Sequence, residues 1–265
     1  MQKFHLLKTN FDKLDEIIGG ILPGEITVIG SRPVSGKTSL ISSLIQKMIP
    51  TTGNSCLFFS LEMPAAMFCN RLVSSMLKID YMKFVQENLS DNEKMLVNKQ
   101  LHEIRDWPLY NKDNPNQTID DICKISRKYV RRQKVKIIFI DYIGLIAPKD
   151  ETMPVYENIS QIMQKLKILA RELNVAIVVA CQVSRGASSS EPELSGLRGS
   201  GAIEDIADVI IFISRENRQY PEQAKLIVAK NHHGDLGDIF CRFSCGKFEE
   251  IPFTPLPETE EDVNE

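Results

Sequence analysis

Three short stretches carry residues whose types and spacing suit phosphate chemistry. The first is 30-GSRPVSGKTSL-40, which follows the apolar run 26-ITVIG-30. Gly36, Lys37 and Thr38 form the end of a P-loop: backbone N–H groups at a helix start cradle phosphates, Lys37 reaches the β and γ phosphates, and Thr38 holds Mg2+. Nucleotide contacts are therefore expected from Ser31, Arg32, Pro33, Val34, Ser35, Gly36, Lys37, Thr38 and Ser39. The usual pattern places a glycine five residues before Gly36. Here that position is Ser31, and Gly30 stands one place early.

The second stretch is 137-IIFID-141, four apolar residues that bury a strand with an aspartate at its tip. That is where the second magnesium acid of a P-loop protein belongs, so Thr38 and Asp141 are the expected metal pair. The third is 56-CLFFSLEMP-64, apolar from Cys56 to Phe59 and then carrying Glu62 just before Pro64. Taken alone, Glu62 reads as a first-turn acid favoured by the helix dipole. Beside Lys37 and Asp141 it reads as the general base that orients or deprotonates a water for in-line attack on a γ-phosphate.

Such residues need a scaffold that brings strand tips together. Short apolar runs, 26-ITVIG-30, 56-CLFFS-60, 137-IIFID-141, 176-AIVVAC-181 and 209-VIIFI-213, alternate with helical patterns. Continuous apolar runs of this kind belong to parallel strands buried on both faces. One helix is expected from about Glu157 to Leu173, where Ile159, Ile162, Leu166, Leu169 and Leu173 recur at spacings of three and four. Another follows Lys37, and others are expected over 64–77, 90–105 and 118–133. The alternation predicts an α/β fold, a mostly parallel central sheet flanked by helices, with ligands at the carboxyl ends of the strands. After Phe212, the runs 225-KLIVAK-230, 239-IFCRF-243 and a strand near Lys247 predict an antiparallel addition at the C-terminal edge. The Ser/Gly-rich stretch 184–201 is the longest interior segment without a pattern, and such loops are usually functional or mobile.

The bulk composition narrows the class. With 265 residues, 43% hydrophobic and 25% charged, the chain suits one large domain or two small ones. Six cysteines sit mostly inside apolar runs and the N-terminus has no long apolar block, so a reduced, cytoplasmic protein is expected, with no membrane partner. A net charge of -3 excludes a coat of positive charge but leaves room for nucleic acid in a local channel. The basic run 127-RKYVRRQK-134 reads as the solvated end of a helix. Cys241, Cys245, His232 and His233 are not spaced like a zinc finger.

The order 12-DKLDEIIGGILPGE-25, SRPVSGKT, FFSLEMP, 137-IIFIDYIGLI-146, 172-ELNVAIVVACQVSR-185 and 194-LSGLRGSGAIEDIADVIIFISR-215 resembles the RecA-like ATPase domain of DnaB-type replicative DNA helicases. The resemblance runs from about Leu14 to Phe248, and the loop with Arg32 and Pro33 matches that family's own version, which commonly lacks the first glycine. It implies a RecA-like P-loop NTPase using ATP and Mg2+, with Glu62, Lys37 and Gln182 catalytic, Gln182 sensing the γ-phosphate. It implies single-stranded DNA gripped by the segment holding Arg198, Gly199 and Gly201, although the family usually has an acid at Gly199. Lys230 and His232 match residues that reach a neighbouring subunit's site, but the family has arginine where His232 stands. An arginine is always charged whereas a histidine is mostly neutral at pH 7, so hydrolysis is expected to be weak unless Arg215, Arg218 or Arg242 compensates.

The resemblance further implies a homo-oligomer, a hexameric ring with ATP between subunits, and other replisome proteins as partners. The domains expected are 1–13 as an N-terminal extension, 14–250 as the ATPase and helicase domain, and 251–265 as an acidic, disordered tail. The family's helical N-terminal domain is missing from the chain, which predicts concentration-dependent assembly. Two alternatives stay open: a slow or non-hydrolysing RecA-like module that regulates or loads a replication or recombination factor, and a KaiC-like or recombinase-like relative.

Overall fold

The computed structural model describes residues 6–183, 192–197, 200–215 and 220–252. The first half of the chain runs α1 (Asp12–Ile18), β1 (Ile26–Ser31), α2 (Lys37–Thr52), β2 (Cys56–Ser60), α3 (Ala65–Leu77), α4 (Tyr81–Val85) and α5 (Asp91–Arg105). It continues β3 (Leu109–Lys112), α6 (Ile119–Gln133), β4 (Ile137–Asp141), α7 (Val155–Leu173), β5 (Ala176–Gln182), α8 (Ser200–Ile206) and β6 (Val209–Ser214). Three strands close it: β7 (Gln223–Asn231), β8 (Gly237–Ser244) and β9 (Lys247–Glu250).

These nine strands form one sheet in the order β3-β2-β4-β5-β1-β6-β7-β8-β9. The pairs from β3 to β6 are parallel. Those from β6 to β9 are antiparallel, as the C-terminal patterning predicts. Adjacent residues of a strand point to opposite faces, and here each face meets helices. Phe58, Phe139 and Ile211 pack with Leu40, Leu44, Phe68 and Leu72 on one side. Phe59, Ile138 and Phe212 pack with Ile122, Ile159, Leu166 and Ile203 on the other. Burial on both faces is why the parallel strands read as unbroken apolar runs.

Several elements lie outside the sequence expectations. β3 and the short helices α1, α4 and α8 were not anticipated. Residues 7–13, expected as an extension, place Leu7 and Phe11 in the core, with Leu7 exchanging backbone hydrogen bonds with Ile21. The stretch 184–201 is not one open loop. Leu194–Gly196 form a 3-10 turn, Leu197 is buried and bridges Val183, and α8 starts at Ser200. Residues 184–191, 198–199 and the expected tail from 253 onward lie outside the described residues.

Candidate active site

The P-loop leaves the tip of β1 and enters α2. Gly36 takes φ 104°, a left-handed geometry that disfavours any side chain, and a Cβ there would come within 3.1 Å of the Phe248 ring. At the crown, Val34 stands 94% exposed with φ 67°, an uncommon conformation for a β-branched residue. Lys37 is buried, its ammonium 5.6 Å from the centre of the Tyr142 ring. Gly30 needs its missing side chain for a separate reason: a Cβ would lie 2.6 Å from the ring of Phe212 on β6. The glycine one place early therefore serves strand packing, and Ser31 is the fully buried last residue of β1.

Asp141 ends β4 at 1% exposure and accepts a 2.5 Å hydrogen bond from the Thr38 hydroxyl through Oδ2. Its other oxygen, Oδ1, is buried with no protein partner. Burial pushes its carboxyl up to about 6; the Thr38 bond opposes this, the charge of Glu62 adds to it, and Lys37 and Arg71 oppose it. A buried carboxylate oxygen left unpaired beside a hydroxyl suits a hard cation that takes oxygen ligands, so Thr38 and Asp141 fit Mg2+.

Glu62 is tied to the same strand tip. Ser60 is in register with Asp141, and the N–H groups of Leu61 and Glu62 both donate to the Asp141 carbonyl, at 2.9 and 3.2 Å. Glu62 is not a first-turn acid of α3, since that helix starts at Ala65, whose N–H donates to Asp113 at 2.7 Å. Glu62 is exposed and, with Lys37 and Thr38, lines a cavity of 470 Å³ at the P-loop. A carboxylate, a lysine and a hydroxyl bonded to the buried Asp141 thus meet at one opening.

Gln182, the last residue of β5, is in register with Ser31, and the next N–H, from Val183, donates to the Ser31 carbonyl at 2.9 Å. Two arginines complete the cavity wall and were not among the expected cis residues. Arg71 of α3 lines it with its guanidinium 5.1 Å from the Tyr81 ring. Arg71 is the lone charged residue of α3, which is the signal that could have marked it. Arg215 follows β6, stacks 3.5 Å over the Phe243 ring and donates to the Ser35 carbonyl at 3.5 Å. Burial lowers its pKa. Arg215 thus stands on its own P-loop.

Lys230 and His232 are not brought to this cavity. Asn231 pairs with Val209 at the start of β6, and Val209 pairs with Thr27 at the start of β1. The P-loop lies at the other end of β1, about five residues and therefore roughly 17 Å away. Arg242 is exposed on β8, while Arg198, Gly199 and Arg218 lie outside the described residues. Gly201 sits exposed inside α8, where a Cβ would meet nothing within 4 Å, so it is not a turn residue. Cys241 is buried with its thiol pushed up to about 12 by that burial, whereas Cys245 is exposed on the β8–β9 turn. Among the described residues, no group of three or more His, Cys, Asp or Glu side chains is placed to hold a metal ion.

Comparison with known proteins gives the same frame. Residues 7–250 match the model of the DnaB-like helicase C terminal domain. The replicative DNA helicase DnaB of Treponema pallidum (strain Nichols) is 36% identical over 251 residues, covering 90% of this chain and 56% of that protein. That of Leifsonia xyli subsp. xyli (strain CTCB07) is 31% identical over 248 residues, covering 89% and 53%. The chain spans about half the length of the curated relatives it matches. Among solved structures, a DnaB-like replicative helicase, described with its interactions with primase, superposes with a TM-score of 0.84 at 25% identity, covering 93% of this chain and 62% of that one. Another, described as an ATPase domain, superposes with a TM-score of 0.86 at 25% identity, covering 94% and 93%. Together with the strand order and the P-loop, these matches show that the chain belongs to the DnaB-like helicase C-terminal domain family.

Proposed function

We propose that this chain is an ATP-dependent DNA helicase motor that hydrolyses ATP at sites shared between copies of itself and moves along single-stranded DNA. The observation that carries the reading is the convergence of Lys37, Thr38 and Glu62 on one cavity, with Asp141 bonded behind it to Thr38, and with Lys230 and His232 held at the far end of the same sheet. A group that cannot reach its own nucleotide is available to a neighbour's, and a closed ring satisfies every site at once.

Each residue then has a physical task. Lys37 and the N–H groups at the start of α2 hold the phosphates. Thr38 and Asp141 hold Mg2+, which when bound supplies charge neutralisation on the β and γ phosphates. Glu62 orients or deprotonates the attacking water. Gln182 donates to a γ-phosphate oxygen, and its strand continues through Val183 toward the segment holding Arg198, Gly199 and Gly201, which contacts DNA phosphates without reading sequence. Arg215 and Phe243 cover the outer side of the cavity. The working assembly is a hexameric ring, and replisome proteins are its partners.

A second reading, a slow ATP-binding module that regulates or loads another factor, is favoured by one residue: His232 stands where the resemblance implies an arginine. Steady-state ATPase activity at several protein concentrations, with and without single-stranded DNA, decides between them. A rise with both, abolished in Glu62→Gln, supports the motor. Nucleotide binding with no turnover under every condition rejects it in favour of the module.

A further inference from the structure

The tip of β7 carries a connected set of charges that the nucleotide cavity does not use. Asp208, just before β6, is buried, and a backbone and a side-chain donor fix its carboxylate. The Ile26 N–H donates to it at 2.8 Å, and Lys167 Nζ of α7 lies 2.6 Å from both oxygens. His232 rests against it. The His232 backbone N–H donates to the Asp208 carbonyl at 3.1 Å, and the imidazole Nδ1 lies 3.4 Å from Asp208 Oδ1, with the side chain 46% exposed. The next ring turns away: His233 Nε2 lies 2.5 Å from Glu25, and the two rings are inclined by 84°. Lys230 Nζ donates to the Glu204 carbonyl of α8. Each member of the exposed tip is thus held by its own anchor.

We infer that Asp208 is a positioning residue for His232, setting the imidazole so that Nε2 faces the phosphates of a nucleotide bound by an adjacent copy; this rests on the shared-site reading above. The two ring nitrogens lie on opposite sides of the imidazole, so Nδ1 turned toward Asp208 leaves Nε2 outward. An imidazolium donates from both nitrogens, one to the carboxylate and one to phosphate. A neutral ring with its proton on Nδ1 presents only a lone pair at Nε2, which repels a phosphate oxygen. Only the doubly protonated ring therefore makes both contacts at once. The charged groups that face it are Asp208 with its partner Lys167, Lys230 on the same strand, and His233 with Glu25. Asp208 is the nearest anion, and Lys167 offsets part of its charge.

The test is steady-state ATPase of the wild type, H232A, D208N and the double variant between about pH 6 and about pH 8, the range in which imidazole titrates. The expectation is that H232A lowers kcat by about a hundredfold at the acid end with little change in KM, as removal of a contact made mainly in the transition state does. D208N should lower kcat by about tenfold in the wild type and add nothing in the H232A background, because coupled residues are non-additive. H232R should raise the rate and flatten its pH dependence. Equal losses from D208N in both backgrounds would show that Asp208 merely ties β1 and β6 to α7, and would overturn the proposal. Should D208N fail to fold, D208E, which keeps the charge but shifts it, is compared in the same two backgrounds, and equal losses there overturn the proposal. Mixing E62Q with H232A separates this from the underlying reading: activity above that of either alone supports shared sites, and no recovery rejects them whatever Asp208 does.

Discussion

Asp141 shows how much chemistry one side chain can hold in tension. The folded chain keeps its carboxyl protonated up to about 6, whereas the ordinary value is 3.8. Between those values the folded state binds the extra proton, so this group's contribution to stability falls as pH rises through that window. Replacing it with asparagine keeps an acceptor for Thr38 and removes the charge. Asp141→Asn should therefore stabilise the metal-free protein above about pH 7 by about 1–3 kcal/mol in urea titrations, while abolishing turnover. A loss of stability there would mean that the ionised carboxylate is well compensated. Protons also compete with metal, so Mg2+ affinity should weaken as pH drops below about 6. At this scale the sequence was most informative where residue type was unusual: a lysine and threonine behind a glycine, and acids at the tips of apolar runs. Arg71 and Arg215 were not legible as cavity residues, because what brings them there is the packing of α3 on the sheet and the stacking of Arg215 on a strand far downstream.

Among the elements, the parallel strands and long helices were legible because burial on both faces leaves an unbroken apolar record and amphipathic helices leave a periodic one. β3 left neither record, since Leu109, Tyr110, Asn111 and Lys112 are all half-buried at an edge that pairs on one side only. α1 and α8 are seven residues each, too short for a periodic signal. Gly30 could be read from sequence only as a displaced P-loop glycine; the approach of β1 to Phe212 gives its physical reason. Gly30→Ala should cost about 1–3 kcal/mol in denaturant unfolding, as overpacking of a close contact does. Gly201→Ala is the matched control, since it adds a methyl to open space within a helix and should be neutral or stabilising by up to about 1 kcal/mol.

For the molecule as a whole, the class and the parallel-then-antiparallel sheet followed from alternation, but the separation of the two candidate half-sites did not. That separation depends on β7 running back along β6, which carries Lys230 and His232 to the end of the sheet remote from the P-loop. The cavity belongs to the body that one nine-stranded sheet holds together. A nucleotide that binds only the folded state should therefore stabilise that whole unit. A hundredfold excess over Kd corresponds to about 2.7 kcal/mol, and hence a Tm rise of about 5–10 °C. Lys37→Ala should remove the shift in a thermal scan, and a shift that survives would place the nucleotide elsewhere.

The bridge between Val183 and Leu197 has a consequence for evolvability. The stretch between these two residues departs and returns at one point, stitched to Ser31 by the Val183 N–H and wedged against Gly30 by Leu197. A tether whose ends are already joined can change length cheaply, because doubling the residues in a closed loop costs only about 0.6 kcal/mol of entropy. The junction is therefore independent of how many residues lie between its two ends, while Gly196 beside it must stay small, since a Cβ there would lie 2.6 Å from Val183.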